Sequence, residues 1–356
     1  MAASTIKIGI IGGTGLDQDA SILQDREMLP VPQTPYGSPS DPEVVHGKID
    51  GIEVFILGRH GRKHDVSPSN VNYRANLWTF RELGVTHVLA TTACGSLKEE
   101  IAPGHLAIVD QYIDRTNIRG GRSFYRVAHI PQPRPFEPQL QQILLESATE
   151  AGYPVHPAVT AVAIEGPRFS TLAESKLYQS WGADLVNMTL VPEVQLASEL
   201  GLLYASVALV TDYDCWHSDE LSVSVDFVMN MLQTLSGKAK DVLVRAIAKI
   251  KTVDWTETME KRRTAAKVAI MVDNYYKFKQ NCLAVLGTNC AAEDIAEFET
   301  LIDGYTVDIL SLLCTDYTEE SDKCTKIIEQ TPKGTVDLKA QSKTFVLPLV
   351  DVLDSL

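Results

Sequence analysis

Several short segments that combine glycine with hydroxyl or cationic side chains follow directly on apolar, strand-like runs of the sequence. Gly-Gly-Thr-Gly at residues 12–15 follows the run 6–11. Its glycines allow a tight turn and a close backbone approach to an oxyanion, and Thr14 adds a hydroxyl donor. The spacing differs from the dinucleotide-binding fingerprint. A structural turn and an anion-binding loop are therefore both open for this motif, and NAD binding is the least supported interpretation.

Three further strand ends carry donors that could bind an anion. Gly-Arg-His-Gly at residues 58–61 places Arg59 and His60 at the end of a strand, where α/β sheets bind ligands. In isolation, a solvated basic turn is the commoner explanation of such a segment. Thr-Thr-Ala-Cys-Gly-Ser at 91–96 and Asn-Met-Thr at 187–189 add hydroxyl groups. One arginine, one imidazole and several neutral donors suit a single inorganic phosphate better than a triphosphate.

Paired carboxylates mark another strand end. Asp212 and Asp214 end the apolar run 203–211, and residues at i and i+2 of an extended chain point to the same side. Such a pair can ligate a metal, cap a helix, or combine an acid with a hydrogen-bond acceptor. No further acidic or histidine residue stands at metal-ligand spacing, so a metal site is not predicted. Glu-Gly-Pro-Arg-Phe-Ser at 165–170 adds an acid, an aromatic ring and a small hydroxyl after a further strand.

These segments need a scaffold in which several strand ends meet at one edge. Short apolar runs rich in β-branched residues alternate with stretches of helical periodicity as far as residue 250. We predict an α/β fold with a central mixed β-sheet flanked by helices on both sides. The predicted strands are residues 6–11, 54–57, 85–91, 106–109, 159–164, 184–188 and 203–211, and the predicted helices are 70–83, 137–151 and 225–250.

The C-terminal part of the chain has a different composition. Residues 272–356 carry fifteen acidic residues against seven lysines and contain no arginine. We therefore predict two parts, a domain at 1–271 that contains all the candidate catalytic residues and an acidic C-terminal appendage at 272–356, to which the sequence assigns no role.

Composition restricts the classes of partner. The 356 residues carry a formal net charge of −14, which disfavours binding to nucleic acid or to anionic membrane surfaces. No apolar run reaches the length of a membrane span, and the first residues lack the pattern of a secretory signal. Six cysteines without a Cys-x-x-Cys pair indicate reduced thiols. We expect a cytoplasmic protein, with the nucleus as a second candidate location, and neither nucleic acid nor membrane as a partner.

Taken in chain order, these five motifs and the segment Thr-Asp-Tyr-Asp-Cys-Trp at 211–216 resemble those of the trimeric purine nucleoside phosphorylases. The resemblance extends from about residue 6 to about residue 271, and the appendage lies outside it. It implies the nucleoside phosphorylase fold, a homotrimer, a nucleoside and phosphate as small-molecule partners, and no cofactor or metal, since inorganic phosphate is the co-substrate.

The resemblance also assigns site residues. It implies phosphate binding by Thr14, Arg59, His60, Thr92, Ala93 and Thr189. It places Met188 against the ribose, Phe169 near the base, and the catalytic pair Asp212 and Asp214 at the purine. Ser170 and Val225 match positions that leave room for a 5′-alkylthio group, and His129 and Met271 would line the 5′ pocket of a neighbouring subunit.

The implied reaction is phosphorolysis of 5′-methylthioadenosine to adenine and 5-methylthioribose 1-phosphate, with adenosine and other 5′-modified 6-aminopurine nucleosides as further candidate substrates. Asp212 would act as the general acid and contact the 6-amino group, and Asp214 would support it. One alternative is a phosphorylase of the inosine or guanosine type, against which Asp212 argues because a carboxylate repels a 6-oxo group. A non-catalytic scaffold on the same fold is a further alternative, and a dinucleotide-dependent oxidoreductase is the least supported.

Overall fold

The computed structural model describes residues 6–12, 22–31, 34–217 and 224–272. The chain divides into two units, one formed by Met1–Phe124 with Ala128–Met271 and the other by Tyr125–Val127 with Val272–Leu356. The fold discussed below is that of the first unit. Thr14 and residues 273–356 lie outside the described residues, so the predicted domain division and the acidic appendage stay predictions.

Eleven strands occur in the described part of the chain. They are β1 (Lys7–Gly12), β2 (Gln24–Pro30), β3 (Glu43–Ile49), β4 (Ile52–Gly58), β5 (His87–Ser96), β6 (Leu106–Arg115), β7 (Val127–Ala128), β8 (Val155–Ile164), β9 (Leu185–Asn187), β10 (Leu203–Asp212) and β11 (Ile270–Val272). All the strands predicted from apolar runs are present. The hairpin partners β2 and β3 were not predicted, because β2 is polar and largely exposed.

Nine strands form one mixed sheet in the order β10-β6-β8-β9-β5-β1-β4-β3-β2, and β7 pairs with β11. Strand β10 also pairs with β5, in parallel, so β5, β10, β6, β8 and β9 close into a ring of five strands. Strands β1, β4, β3 and β2 continue outward from β5. The predicted central mixed sheet is confirmed.

Six α-helices accompany these strands in the described residues. They are α1 (Tyr73–Glu82), α2 (Pro138–Glu150), α3 (Leu172–Ser180), α4 (Leu190–Glu199), α5 (Val225–Ile250) and α6 (Thr256–Ala269), and a short 3₁₀-helix spans Pro68–Asn70. Helix α5 has the predicted bounds. It begins at a side-chain cap, since the Ser224 hydroxyl accepts a hydrogen bond from the amide of Phe227.

The helices cover both faces of the sheet. Ile8 and Ile10 of β1 pack in one apolar cluster with buried residues of α2 and α5. Gly9, which alternates with them, faces α1, where a Cβ atom would lie 2.5 Å from the Phe80 ring. The two-sided helical cover predicted from the sequence is therefore confirmed. No described helix combines the length and apolar character needed to cross a membrane.

Candidate active site

A break in strand pairing along β5 opens a crevice at the carboxyl end of the central strands. The ladder between β5 and β1 ends at Ala90, and the ladder between β5 and β9 begins at Gly95. Side chains replace the missing strand in between: Arg59 Nη1 donates to the carbonyl of Thr91 at 3.0 Å, and Asn187 Nδ2 donates to that of Ala93 at 3.2 Å. Such a divergence of strands is where open α/β sheets bind ligands.

A cavity of about 430 Å³ occupies this crevice. Eleven of the fourteen residues proposed from the sequence line it, namely Arg59, His60, Thr92, Ala93, Phe169, Ser170, Met188, Thr189, Asp212, Asp214 and Val225. Of the other three, Thr14 lies outside the described residues and Met271 falls in β11, of which only the backbone is described. His129 is not among the cavity-lining residues of its own chain, and its amide donates to the carbonyl of Ala269.

Arg59 is held by a carboxylate that the sequence analysis did not identify. Its Nε and Nη2 atoms donate to the two carboxylate oxygens of Glu193 at 2.6 and 2.7 Å, and both side chains are almost completely buried. Burial alone would lower the pKa of Arg59, but the charge and hydrogen bonds of Glu193 outweigh it and hold the pKa above its ordinary value. The arginine therefore enters the site with its charge already compensated.

Glu193 has a third donor. The hydroxyl of Tyr204 donates to Glu193 Oε1 at 2.7 Å, so three hydrogen bonds hold a fully buried carboxylate. The sequence does carry one signal for this residue: it is an acid inside an apolar helical segment, and such a residue needs a partner when it is buried. That signal could not name Arg59, which is 134 positions away.

The hydroxyl donors form one cluster built on Asn187. Thr92 Oγ1 and Thr189 Oγ1 lie 3.1 Å apart, and Asn187 Nδ2 donates to Thr92 Oγ1. Asn187 Oδ1 accepts from the amides of Thr189 and Leu190, at 2.7 Å each. The Asn-Met-Thr segment thus positions two hydroxyls at the start of α4, and Asn187 is a site residue that the sequence analysis did not propose.

His60 is a neutral imidazole in this environment. Its Nδ1 lies 2.8 Å from the carbonyl of Val66, and since a carbonyl only accepts, Nδ1 carries the proton. Burial, followed by the nearby charge of Arg59, lowers the pKa of His60 to about 4. The His64 ring, 4.7 Å from that of His60, also lines the cavity and was not proposed from the sequence.

The two carboxylates at the end of β10 have different surroundings. Asp212 Oδ2 accepts from the Thr211 hydroxyl at 2.6 Å, and Asp212 Oδ1 accepts from the amide of Asp214 at 2.8 Å. Asp214 Oδ2 is buried and has no hydrogen-bond partner among the described residues. Burial raises the pKa of both acids. In the described structure, Asp214 thus keeps a buried acceptor oxygen without a donor, whereas each oxygen of Asp212, which the sequence suggested for the base contact, already accepts one hydrogen bond.

Small and apolar residues complete the cavity around the carboxylates. A Cβ atom at position 95 would lie 2.8 Å from Asp212 Oδ1, so any side chain there would displace the Asp212 carboxylate. The buried hydroxyl of Ser170 has no hydrogen-bond partner in the described structure. Helix α5 supplies an apolar wall to which Val228, Met229 and Leu232 contribute beside Val225. This stripe was evident in the sequence as the periodicity of a helix, but its exposure to a cavity was not.

The arrangement combines two kinds of chemistry in one cavity. One part presents hydroxyls, a neutral imidazole and a compensated arginine, which can bind a tetrahedral oxyanion without a net local charge. Another part presents a carboxyl group of raised pKa beside an apolar wall, which can hold a polar heterocycle. Among the described residues, no group of three or more His, Cys, Asp or Glu side chains could hold a metal ion.

Comparisons with known proteins agree with this chemistry. The family model of the phosphorylase superfamily matches residues 7–248. The S-methyl-5′-thioadenosine phosphorylases of Xenopus tropicalis and Danio rerio are 47% and 46% identical over 278 and 280 residues; each match covers 76% of this chain, and 98% and 99% of the relative. The structure of methylthioadenosine phosphorylase from Schistosoma mansoni in complex with adenine is similar at 40% identity and a TM-score of 0.72, over 75% of this chain and 99% of that one. The resemblance stated from the motifs is confirmed.

Proposed function

Because the chain belongs to the phosphorylase superfamily and, within it, to the S-methyl-5′-thioadenosine phosphorylases, we propose that it cleaves 5′-methylthioadenosine with inorganic phosphate. The products are adenine and 5-methylthioribose 1-phosphate, and the enzyme is a pentosyltransferase. The observation that supports this reaction best is a cavity lined both by the hydroxyl cluster on Asn187 and by the carboxyl groups of Asp212 and Asp214.

Phosphate occupies the end of the cavity that carries the hydroxyls. Thr92, Thr189 and the backbone at Ala93 donate to it, and Thr14 joins them on the strength of its motif alone. Arg59 uses three of its five N–H groups on Glu193 and on the carbonyl of Thr91, and the remaining two are available to phosphate. The negative charge of the bound phosphate lies beneath C1′, where it stabilises the positive charge that develops on the ribose as the glycosidic bond breaks.

Adenine leaves from the carboxylate end of the cavity. Negative charge develops on the base, and a carboxyl group with a raised pKa can supply a proton at N7 and accept from the 6-amino group. We assign this contact to Asp214, while Asp212, whose oxygens bind Thr211 and the amide of Asp214, holds it in place. Phe169 stacks near the base. A 6-oxo purine would turn its carbonyl toward a carboxylate, which disfavours inosine and guanosine as substrates.

The sugar and its 5′ substituent lie between these two ends. Met188 packs against the ribose, and the apolar wall of α5, beginning at Val225, receives the methylthio group. The small side chain of Ser170 leaves room there for an alkylthio chain. Adenosine and other 5′-modified 6-aminopurine nucleosides fit the same cavity as secondary substrates.

Assembly and location are further parts of the proposal. The enzyme forms a homotrimer in which His129 and Met271 of one subunit close the 5′ pocket of the next, and light scattering of the active protein would test this. It needs no cofactor or metal ion, because phosphate is itself the nucleophile. Cys94 and Cys215 are free thiols, in keeping with the reducing environment of the cytoplasm or the nucleus.

The decisive experiment is incubation with 5′-methylthioadenosine in the presence and absence of inorganic phosphate, with adenine release followed by chromatography. We expect adenine and a sugar 1-phosphate in equal amounts, formed only with phosphate, and much slower cleavage of inosine. Release of adenine without phosphate would indicate a hydrolase, and no release at all would refute the proposal.

A further inference from the structure

Arg119 is a buried arginine that lines no part of the cavity, yet it binds the segments that form the cavity. It lies in the loop after β6, and its side chain is 1% exposed. Because an arginine cannot lose its proton in a protein, a buried one has to be surrounded by acceptors. The identity of those acceptors shows which parts of the chain Arg119 holds together.

All five N–H groups of Arg119 have an acceptor. Nε donates to Glu165 Oε1 at 3.1 Å, and Nη2 donates to the carbonyls of Ile164 and Glu165 at 3.1 and 2.8 Å. Nη1 donates to the carbonyl of Val191 and, at 3.3 Å, to the hydroxyl of Tyr73. The charge, the five donors and their planar arrangement are all used, a combination that no other side chain can supply.

The acceptors belong to two segments with different tasks in the proposed reaction. Ile164 ends β8, and Glu165 follows it and leads into Phe169 and Ser170 on the purine side. Val191 stands two residues after Thr189, on the phosphate side. The guanidinium group thus joins the backbone of the purine-binding segment to the backbone of the phosphate-binding segment.

Two neighbours extend this connection. The Glu165 carboxylate accepts from the amides of Asn117 and Ile118 and from the Ser69 hydroxyl, which holds the loop that carries Arg119. Those hydrogen bonds outweigh partial burial and lower the pKa of Glu165 to about 2, so it is ionised. The Tyr73 hydroxyl in turn donates to the carbonyl of Pro68 at 2.9 Å, next to cavity-lining residues that follow His64.

We propose that Arg119 is a positioning residue that sets the distance between bound phosphate and the bound nucleoside. This inference rests on the proposed function. Each ligand contacts its own segment, so each binds largely without Arg119. Attack of phosphate on C1′ depends on how the two segments are placed relative to each other, and a displacement of about 1 Å can slow such a step roughly a hundredfold. The effect of Arg119 therefore falls on kcat rather than on either KM.

The test compares Arg119→Lys and Arg119→Met with the wild-type enzyme at matched folded concentration. Lysine keeps the charge but has three donors for five acceptors, and methionine has none. We expect kcat to fall at least about tenfold in Arg119→Lys and further in Arg119→Met, while the KM values for phosphate and for 5′-methylthioadenosine change less than about threefold. Tyr73→Phe removes only one acceptor and should give a smaller fall in kcat in a protein that folds normally.

Arg122→Met is the matched control. Arg122 lies three residues later in the same loop, is 39% exposed, and binds only Asp114 and Thr116 among the described residues. Its replacement should leave kcat unchanged within about twofold.

The outcomes separate the inference from the proposed function. A wild-type enzyme that releases no adenine would refute the proposed function and, with it, the inference. Normal turnover of the wild type, matched by both Arg119 variants, would refute the positioning role alone. A rise in only one KM at constant kcat would also refute it, because Arg119 would then serve one ligand. If Arg119→Met does not fold, Arg119→Lys and Tyr73→Phe still decide between these results.

Discussion

Replacing Glu193 with glutamine should destabilise the protein through the arginine that it compensates. The glutamine has nearly the same shape, but it offers one acceptor oxygen where the carboxylate accepts from Arg59 Nε, Arg59 Nη2 and Tyr204 Oη. At least one of those donors must then face the amide NH₂ group. Arg59, only 1% exposed, keeps a charge with no compensating carboxylate. Breaking a buried ion pair from one side costs about 3–5 kcal/mol.

The assay is urea unfolding of Glu193→Gln without phosphate, at the protein concentration used for the wild type. We expect a loss of about 3–5 kcal/mol in the free energy of unfolding. The control, Tyr204→Phe, removes one hydrogen bond to the same carboxylate and should cost about 1 kcal/mol. The double variant Arg59→Met with Glu193→Leu should be more stable than either Arg59→Met or Glu193→Gln, since no unpaired charge remains.

Phosphate provides the second measurement on Glu193→Gln. The uncompensated charge of Arg59 should attract phosphate, so added phosphate should raise the unfolding free energy of the variant by more than that of the wild type. A loss below about 1 kcal/mol, or an equal gain from phosphate in both proteins, would refute the idea that Glu193 compensates a buried cation.

Three further outcomes follow from the site. Asp214→Asn should lower the ratio of kcat/KM for 5′-methylthioadenosine over inosine at least about tenfold, or about 1.4 kcal/mol, because an amide donor would face the 6-amino group. Asp212→Asn should lower kcat/KM for both substrates by the same factor. The reverse pattern would return the base contact to Asp212. The wild type should lose stability as the pH falls from about 6.5 toward 4, because His60 binds a proton more readily in the unfolded chain than in the folded protein. In urea titrations, His60→Gln should lose less unfolding free energy over this range, by up to about 3 kcal/mol at pH 4. An identical pH profile in the two proteins would contradict a neutral, buried His60. Ending the chain near residue 280 should leave phosphorolysis intact, and a folded but inactive truncation would show that the appendage completes the site.

Much of the α/β framework could be predicted from the sequence because buried strands have a local sequence pattern. Residues 6–11 and 203–211 are apolar on both faces, which is typical of strands covered by helices on either side, and β1 and β10 lie there. Helix α5 was predicted with its bounds because an apolar stripe at helical spacing continues into a long stretch of good helix formers. Elements without such a pattern were not predicted. Strand β2 is polar, and α4 is buried nearly all round, so that no exposed polar face marks it as a helix in the sequence.

Some active-site residues could likewise be predicted from local motifs, whereas others could not. Motifs at strand ends contain ten of the cavity-lining residues, because a glycine, a threonine or an acid directly after a buried strand is a local signal, and the resemblance added Val225 on α5. The partners that give those residues their chemistry were decided by the tertiary structure. Glu193 compensates Arg59 across 134 positions, and Arg119 reaches Val191 across 72. Whether Asp212 or Asp214 keeps a free oxygen depends on hydrogen bonds that form only once β10 has ended beside β5. Local patterns determine which side chains a strand end presents, whereas charge compensation, protonation and spacing depend on neighbours that only the folded sheet brings together.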